Sequence, residues 1–240
     1  MTRMFSEVTT TWNPVVGCLH GCSYCYAHGL ALGRLSHLAR YRDGFTPKLI
    51  EHELKRHFKG LVFVSNMGDL WGSWVRREWI EQVLVAISHS PEAAFLMLTK
   101  NPARYHEFLR SLPPNVILGG TIETNQTPLL RGNSPTVKTA LGIPPFSTLT
   151  PPPPHSSRWA AMMALRGFRK FVSIEPILEF DLDMFVTMIQ TIRPEYVYVG
   201  YDNHGHKLPE PTLQETEELI TALEGFTEVR TKTLRNAWWE

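Results

Sequence analysis

The chain has very little cysteine: three residues in 240, all of them inside eight consecutive positions. A disulfide framework is excluded, because three thiols always leave one over and no distant partner exists. Free thiols of this kind fit a reducing compartment, so the expected location is the cytoplasm. Long apolar runs are also missing. None approaches the roughly 20 residues that span a bilayer, and no membrane partner is expected. Met1 to Thr11 lacks the apolar core of a secretory signal. The net charge of +1 is too small for a uniformly basic nucleic-acid binder, though a local basic face remains open. A hydrophobic content of 43% over this length is enough to bury a sizeable core.

What cysteine there is lies in Cys18-Leu19-His20-Gly21-Cys22-Ser23-Tyr24-Cys25, with the spacing C-x3-C-x2-C. Short intervening loops cost little closure entropy, so the three thiolates can converge on one inorganic centre. Thiolate is the ligand of iron–sulfur clusters. On a four-iron cube, three cysteines leave one corner without a protein ligand, and an open coordination position marks a metal that does chemistry. The other reading of these residues is a Cys3His zinc site with His20 or His28 as fourth ligand. Zinc sites usually space their ligands as two separated pairs, and no second pair is present.

Six apolar runs read as strands: Val8–Trp12, Leu61–Asn66, Phe95–Lys100, Val116–Glu123, Phe171–Pro176 and Tyr196–Tyr201. Several turn polar at their C-terminal ends, as buried parallel strands do. Between them come helical segments. Tyr26–Leu38 is weakened by Gly29 and Gly33. Arg76–His89 carries the stripe Trp79, Ile80, Val83, Leu84 and Ile87. A third helix opens at Asn101-Pro102 and runs to about Leu112. Arg158–Arg169, Asp181–Thr191 and Thr212–Leu223 follow, with a short strand near Thr227–Thr231. This alternation predicts parallel order with right-handed crossovers. Eight units would close a barrel, so six predict an open, partial (βα)6 TIM-like barrel, α/β in class, as one domain over residues 1–240. Thr124 to Ser157 holds eight of the 18 prolines. It is expected to be an insertion within that domain, either a lid over the site or a disordered excursion.

Parallel α/β folds keep their sites at the C-terminal ends of strands. Lys100, Thr121, Glu123, Ser173 and Glu175 all fall there. Glu175 among Phe, Val and Ile is costly without a partner, so it is either functional or matched by a structural Lys or Arg. Asp69, after the second strand, is suited to accept hydrogen bonds from an ammonium or to cap the next element. His204 and His206 read as a polar loop or, less strongly, as part of a second metal site. Arg34 to Lys59 carries seven Lys or Arg against three acids. With Arg158, Arg166, Arg169 and Lys170 it points to a nucleic-acid substrate. The near-neutral total charge leaves a peptide or small metabolite open.

With Tyr24 in its aromatic slot, C-x3-C-x-aromatic-C resembles the signature of the radical S-adenosylmethionine (radical SAM) superfamily. Thr11-Trp12-Asn13-Pro14 before the cysteines, then Leu98-Thr99-Lys100-Asn101-Pro102, Gly120-Thr121-Ile122-Glu123 and Val172-Ser173-Ile174-Glu175-Pro176, occur in that order. Together they are similar to a phage and archaeal group of uncharacterised radical SAM-like proteins. The resemblance implies a [4Fe–4S] cluster on Cys18, Cys22 and Cys25, with S-adenosylmethionine on the open iron. It places Tyr24, Asn66, Gly68, Asp69, Thr121, Glu123 and Ser173 at the cofactor, and Glu175 and Lys100 at the chemistry. Asn66-Met67-Gly68-Asp69 stands where the superfamily has a Gly-Gly-Glu-like turn, with the first glycine absent. The implied reaction is reductive cleavage of S-adenosylmethionine to a 5′-deoxyadenosyl radical that abstracts hydrogen from a substrate. It requires an external electron donor such as a flavodoxin or ferredoxin. A reading of a different class is a non-catalytic iron–sulfur or zinc module that binds a partner through its proline-rich stretch.

Overall fold

In the computed structural model, which describes residues 5–126 and 149–240, the apolar runs are parallel strands with helices between them. The described residues group into two units, one of 5–117 with 149–152 and the other of 118–126 with 153–240.

The first unit holds β1 (Thr10–Trp12), β2 (Val15–Val16), α1 (Tyr26–Leu32), β3 (Lys48–Leu49), β4 (Gly60–Val64), α2 (Arg77–Ser88) and β5 (Ala93–Thr99). β1, β4 and β5 run parallel, with Trp12 opposite Val64 and Val64 opposite Met97. β2 and β3 form a small antiparallel ribbon. Trp12 is fully buried between Phe58 and Phe95, at centroid distances of 5.1 and 5.9 Å, and its indole N–H donates to Glu53 O at 3.0 Å. α2 buries Ile80, Val83, Leu84 and Ile87, four of the five stripe positions expected. Each such side chain contributes about 2 kcal/mol of burial.

Two helices are shorter than the sequence implies. α1 stops at Leu32, where Gly33 leaves the helical region and its N–H closes on Gly29 O. The segment after Asn101-Pro102 is a 3-10 turn, Pro102–Glu107, and does not reach Leu112. Proline supplies no donor at its start, and 3-10 geometry is not sustained over longer runs.

The second unit holds β6 (Val116–Thr121), α3 (His155–Ala164), β7 (Lys170–Ile174), α4 (Leu182–Ile192), β8 (Tyr196–Val199), α5 (Leu213–Glu224) and β9 (Glu228–Thr231). Its strands are parallel, and one register row reads Thr121, Ser173, Tyr198, Arg230. By alternation Phe171, Ser173, Tyr196 and Tyr198 share one face of the sheet, and Val172, Ile174, Val197 and Val199 share the other. The short strand near Thr227 pairs with β8 as a full strand, so the parallel strands among the described residues number seven, one more than the six apolar runs of the sequence. α4 is capped by Asp181, whose Oδ1 accepts from Met184 N at 3.0 Å, and α5 by a Thr212–Glu215 capping box. α3 starts at His155, inside the stretch expected to be irregular, and most of that stretch, 127–148, lies outside the described residues. No helix among the described residues is long and apolar enough to cross a membrane.

Candidate metal and cofactor site

The cysteine loop leaves β2 through Gly17, which adopts φ +83°; a Cβ there would lie 2.4 Å from Thr46 O. Gly17 N donates to Met67 O at 2.9 Å, and Gly17 bridges Gly68. A Cβ on Gly68 would in turn meet Gly17 O at 2.8 Å. Residues 16–18 and 67–69 therefore run backbone against backbone, and only glycine fits at either contact.

Cys25 caps α1, its Sγ accepting from His28 N at 3.4 Å, and Cys18 Sγ accepts from His20 N at 3.5 Å. None of the three cysteines is in a disulfide among the described residues, and all three are partly buried. Cys18 and Cys25 pack against a cluster that includes Val16, Ala31, Tyr41, Phe45 and Met67. Burial pushes the Cys18 thiol well up, helped by the nearby Asp69 charge, and burial also pushes Cys25 up. The donor chemistry fits an iron–sulfur centre: three thiols on one loop, an apolar shell, and amide N–H groups already aimed at two of the sulfurs. Among the described residues no three His, Cys, Asp or Glu side chains converge closely enough to hold an ion, so binding would have to draw the thiols together.

Asp69 lies buried beside this loop. Its Oδ1 accepts from Trp71 N at 3.0 Å and Thr99 Oγ1 at 2.7 Å. Its Oδ2 faces His20 Nε2 and Lys100 N, each at 3.1 Å. Burial alone would raise its pKa, but the bonds from His20, Thr99 and the Lys100 amide together hold it below the ordinary carboxylate value. With these groups on its lone pairs, Asp69 is an organising acceptor, and an incoming ammonium would have to displace one of them. His20 Nδ1 lies 3.1 Å from Thr150 O, so both ring nitrogens are engaged and neither is available as a fourth zinc ligand. The Trp74 ring stands edge-on to His20 at 4.7 Å.

Asn66 is set by its neighbours. Asn13 Nδ2 donates to Asn66 Oδ1 at 2.8 Å, Met67 N donates to Asn13 Oδ1 at 3.0 Å, and Tyr26 OH donates to Asn66 O at 2.7 Å. The Asn13-Pro14 motif thus fixes the turn after β4. Just before it, Ser65 is buried with φ +54°, and its hydroxyl has no hydrogen-bond partner among the described residues. Lys100 Nζ lies over the Tyr24 ring at 5.1 Å. The first unit therefore groups Cys18, Cys22, Cys25, Tyr24, Asn66, Gly68, Asp69 and Lys100, and adds His20 and Ser65, which strand-end reasoning passed over.

The remaining expected residues belong to the second unit. Arg158, on α3, donates to Thr121 O at 2.7 Å and to Glu123 Oε2 at 2.6 Å, and both charged side chains are almost sealed from solvent. Glu175 is ion-paired with Lys232, whose stem passes Gly200, where a Cβ would lie 3.1 Å from Lys232 Cβ. Ser173 is fully buried, and its hydroxyl has no partner among the described residues. Beside it Arg230 Nη1 donates to Tyr198 OH at 3.2 Å and stacks 3.7 Å from the Tyr196 ring. Asp202 organises the His204–His206 loop: it accepts from both their backbone amides, and its Oδ1 lies 2.8 Å from His206 Nδ1. Arg158 and Lys232 were not foreseen as partners; the available signal was that a carboxylate in an apolar strand needs a cation.

Residues 5–137 match the model of a family described as a protein of unknown function, DUF5131. No curated protein matches the chain. Among solved structures it is similar to a mutant spore photoproduct lyase with bound AdoMet and dinucleoside spore photoproduct. That match has a TM-score of 0.53 at 11% identity, covering 88% of this chain and 60% of that one. Two further mutant structures of spore photoproduct lyase match at a TM-score of 0.50 and 12% identity, covering 92% and 90% of this chain and 62% and 61% of theirs. The likeness is one of fold, an α/β partial barrel, and this chain spans about three fifths of the length of those structures.

Proposed function

The chain belongs to the DUF5131 family of proteins of unknown function, and we propose that it is a radical SAM enzyme. The carrying observation is the cysteine loop. It holds every thiol of the chain, has backbone N–H groups directed at two sulfurs, and sits in a fold shared with spore photoproduct lyase. When bound, a [4Fe–4S] cluster with S-adenosylmethionine supplies one-electron reductive cleavage and hydrogen abstraction from a substrate.

The protein's part is to hold and orient. Cys18, Cys22 and Cys25 hold the cluster, and Tyr24 with Lys100 flanks the loop. The turn Asn66–Gly68 presents backbone, with Asp69 fixing the turn from behind. Ser173 supplies a buried hydroxyl with no protein partner among the described residues, which favours a bound ligand over a purely structural role. Thr121 and Glu123 close the end of β6, and Glu175 and Lys100, each at the end of its own strand, are assigned to the chemistry. An external flavodoxin- or ferredoxin-like donor supplies the electron, in the cytoplasm.

A nucleic acid is the proposed substrate. The support is the basic stretch 34–59 and the dinucleoside bound by the similar lyase. The stretch carries less unpaired charge than its composition implied: Arg40 and Arg56 share Glu53, Lys48 meets Asp43, and Lys59 meets Glu92. A peptide or small metabolite is the alternative outcome of a substrate screen.

Anaerobic reconstitution with iron and sulfide tests the reading. The expected result is about four irons per chain and 5′-deoxyadenosine on adding dithionite and S-adenosylmethionine. Each single Cys→Ala variant should lose the cluster, since no spare thiol exists. Stoichiometric zinc with no iron-dependent absorbance would make the protein a binding module and overturn the proposal.

A further inference from the structure

One residue inside the cysteine loop does more than separate ligands. His20 contributes three contacts at once. Its amide donates to Cys18 Sγ, its Nε2 lies 3.1 Å from the buried Asp69 carboxylate, and its Nδ1 lies 3.1 Å from Thr150 O. A carbonyl oxygen only accepts, so the contact with Thr150 O is a bond donated by the ring, and the opposite ring nitrogen faces Asp69 Oδ2. Asp69 is in turn bound by Trp71 N, Thr99 Oγ1 and Lys100 N, so it is anchored at the end of β5. From the other side, Thr150 N donates to Leu19 O at 2.8 Å. Leu149 covers Gly21, where φ is +67° and a Cβ would lie 3.1 Å from a leucine methyl.

We propose that His20 and Asp69 form a buttress, completed by Leu149 and Thr150, that fixes the backbone of the cysteine loop around Cys18. His20 is thus a positioning residue, acting on the metal through Cys18. Without it, Cys18 would lose the ring anchor of the amide that points at its sulfur. The loop would then depend on bonds such as Cys25 N to Cys22 O and Cys18 N to Phe45 O, at 3.1 and 3.2 Å. Groups that orient metal ligands typically change metal retention by about 10–100-fold. The identity of the metal rests on the function proposed above; the buttress itself does not, because all its contacts are within the protein.

The test uses the full chain in two forms. In the apo protein, hydrogen exchange is read at the amides of residues 19–24 in wild type and in His20→Ala, His20→Gln, His20→Asn and Asp69→Asn. In the reconstituted protein, release of iron to a chelator is timed alongside the electron paramagnetic resonance signal of the reduced cluster. His20→Ala should exchange at least about tenfold faster in the loop and release iron about 10–100-fold faster, with the rest of the exchange map unchanged. Gln keeps a donor toward Asp69 and Asn one toward Thr150, so each should recover part of the loss. Wild-type exchange and release rates in His20→Ala would overturn the proposal. Global unfolding of all three His20 variants would also overturn it, by making His20 an element of the core. If wild type takes up zinc in place of iron, the proposed function fails, while the apo measurement still decides the buttress and zinc release replaces iron release.

Discussion

Arg158 and Glu123 meet at 2.6 Å, with 5% and 2% of their side chains exposed. A charge so enclosed cannot lose its partner cheaply. Glu123→Gln or Arg158→Met alone should lower unfolding free energy by about 3–5 kcal/mol in denaturant titrations of the apo protein, and the double variant by less than the sum. Unchanged stability in Glu123→Gln would free that residue for a cofactor role.

Glu175 provides the contrast. Its pair with Lys232 keeps 13% and 17% exposure, so some water still screens it. Glu175→Gln should cost about 1 kcal/mol, keep the cluster, and lose most 5′-deoxyadenosine formation. A variant that unfolds or loses its cluster, with turnover per folded molecule intact, would make Glu175 scaffold.

Ser173 offers a test in the opposite direction. Its buried hydroxyl has no partner among the described residues, so Ser173→Ala removes a desolvated polar group and should leave the melting temperature equal or higher. A role at the cofactor then appears as weaker S-adenosylmethionine binding by calorimetry. A loss of stability would show that the hydroxyl is matched inside the fold.

The Asp69 network carries a pH signature. Its folded pKa is held below the ordinary value, so its contribution is present above the unfolded carboxylate pKa and is lost as pH falls through the folded one. The stability gap between wild type and Asp69→Asn, read by urea unfolding of the apo protein, should be widest at pH 5 to 7 and close below about pH 4. A gap that widens in acid would contradict this assignment.

The sequence made the parallel strands legible because burial on both faces leaves continuous apolar runs such as Val62 to Val64 and Phe95 to Leu98. Glu228–Thr231 was legible only as a short strand outside the six apolar runs, since its charged residues break such a run and β8 pairs it on one side. Gly33 ended α1 by backbone geometry that composition only hinted at. The cysteine motif was visible because its ligands are neighbours in the chain. Arg158 and Lys232 lie 35 and 57 positions from the carboxylates they meet, and His20 depends on groups 49 and 130 positions away. Such pairings are fixed by packing, which no local pattern encodes.

The contact between Gly17 and Gly68 has a consequence for engineering. Because the two loops meet backbone to backbone at Gly17 and Gly68, the thiol-bearing segment cannot be transplanted as a cassette; a recipient scaffold would need the matching turn at residues 66–69 as well, at the same spacing. A methyl on Gly68 would run into Gly17 O, and one on Gly17 into Thr46 O, so the close approach depends on both glycines. The motif is portable only as two strands of backbone moved together.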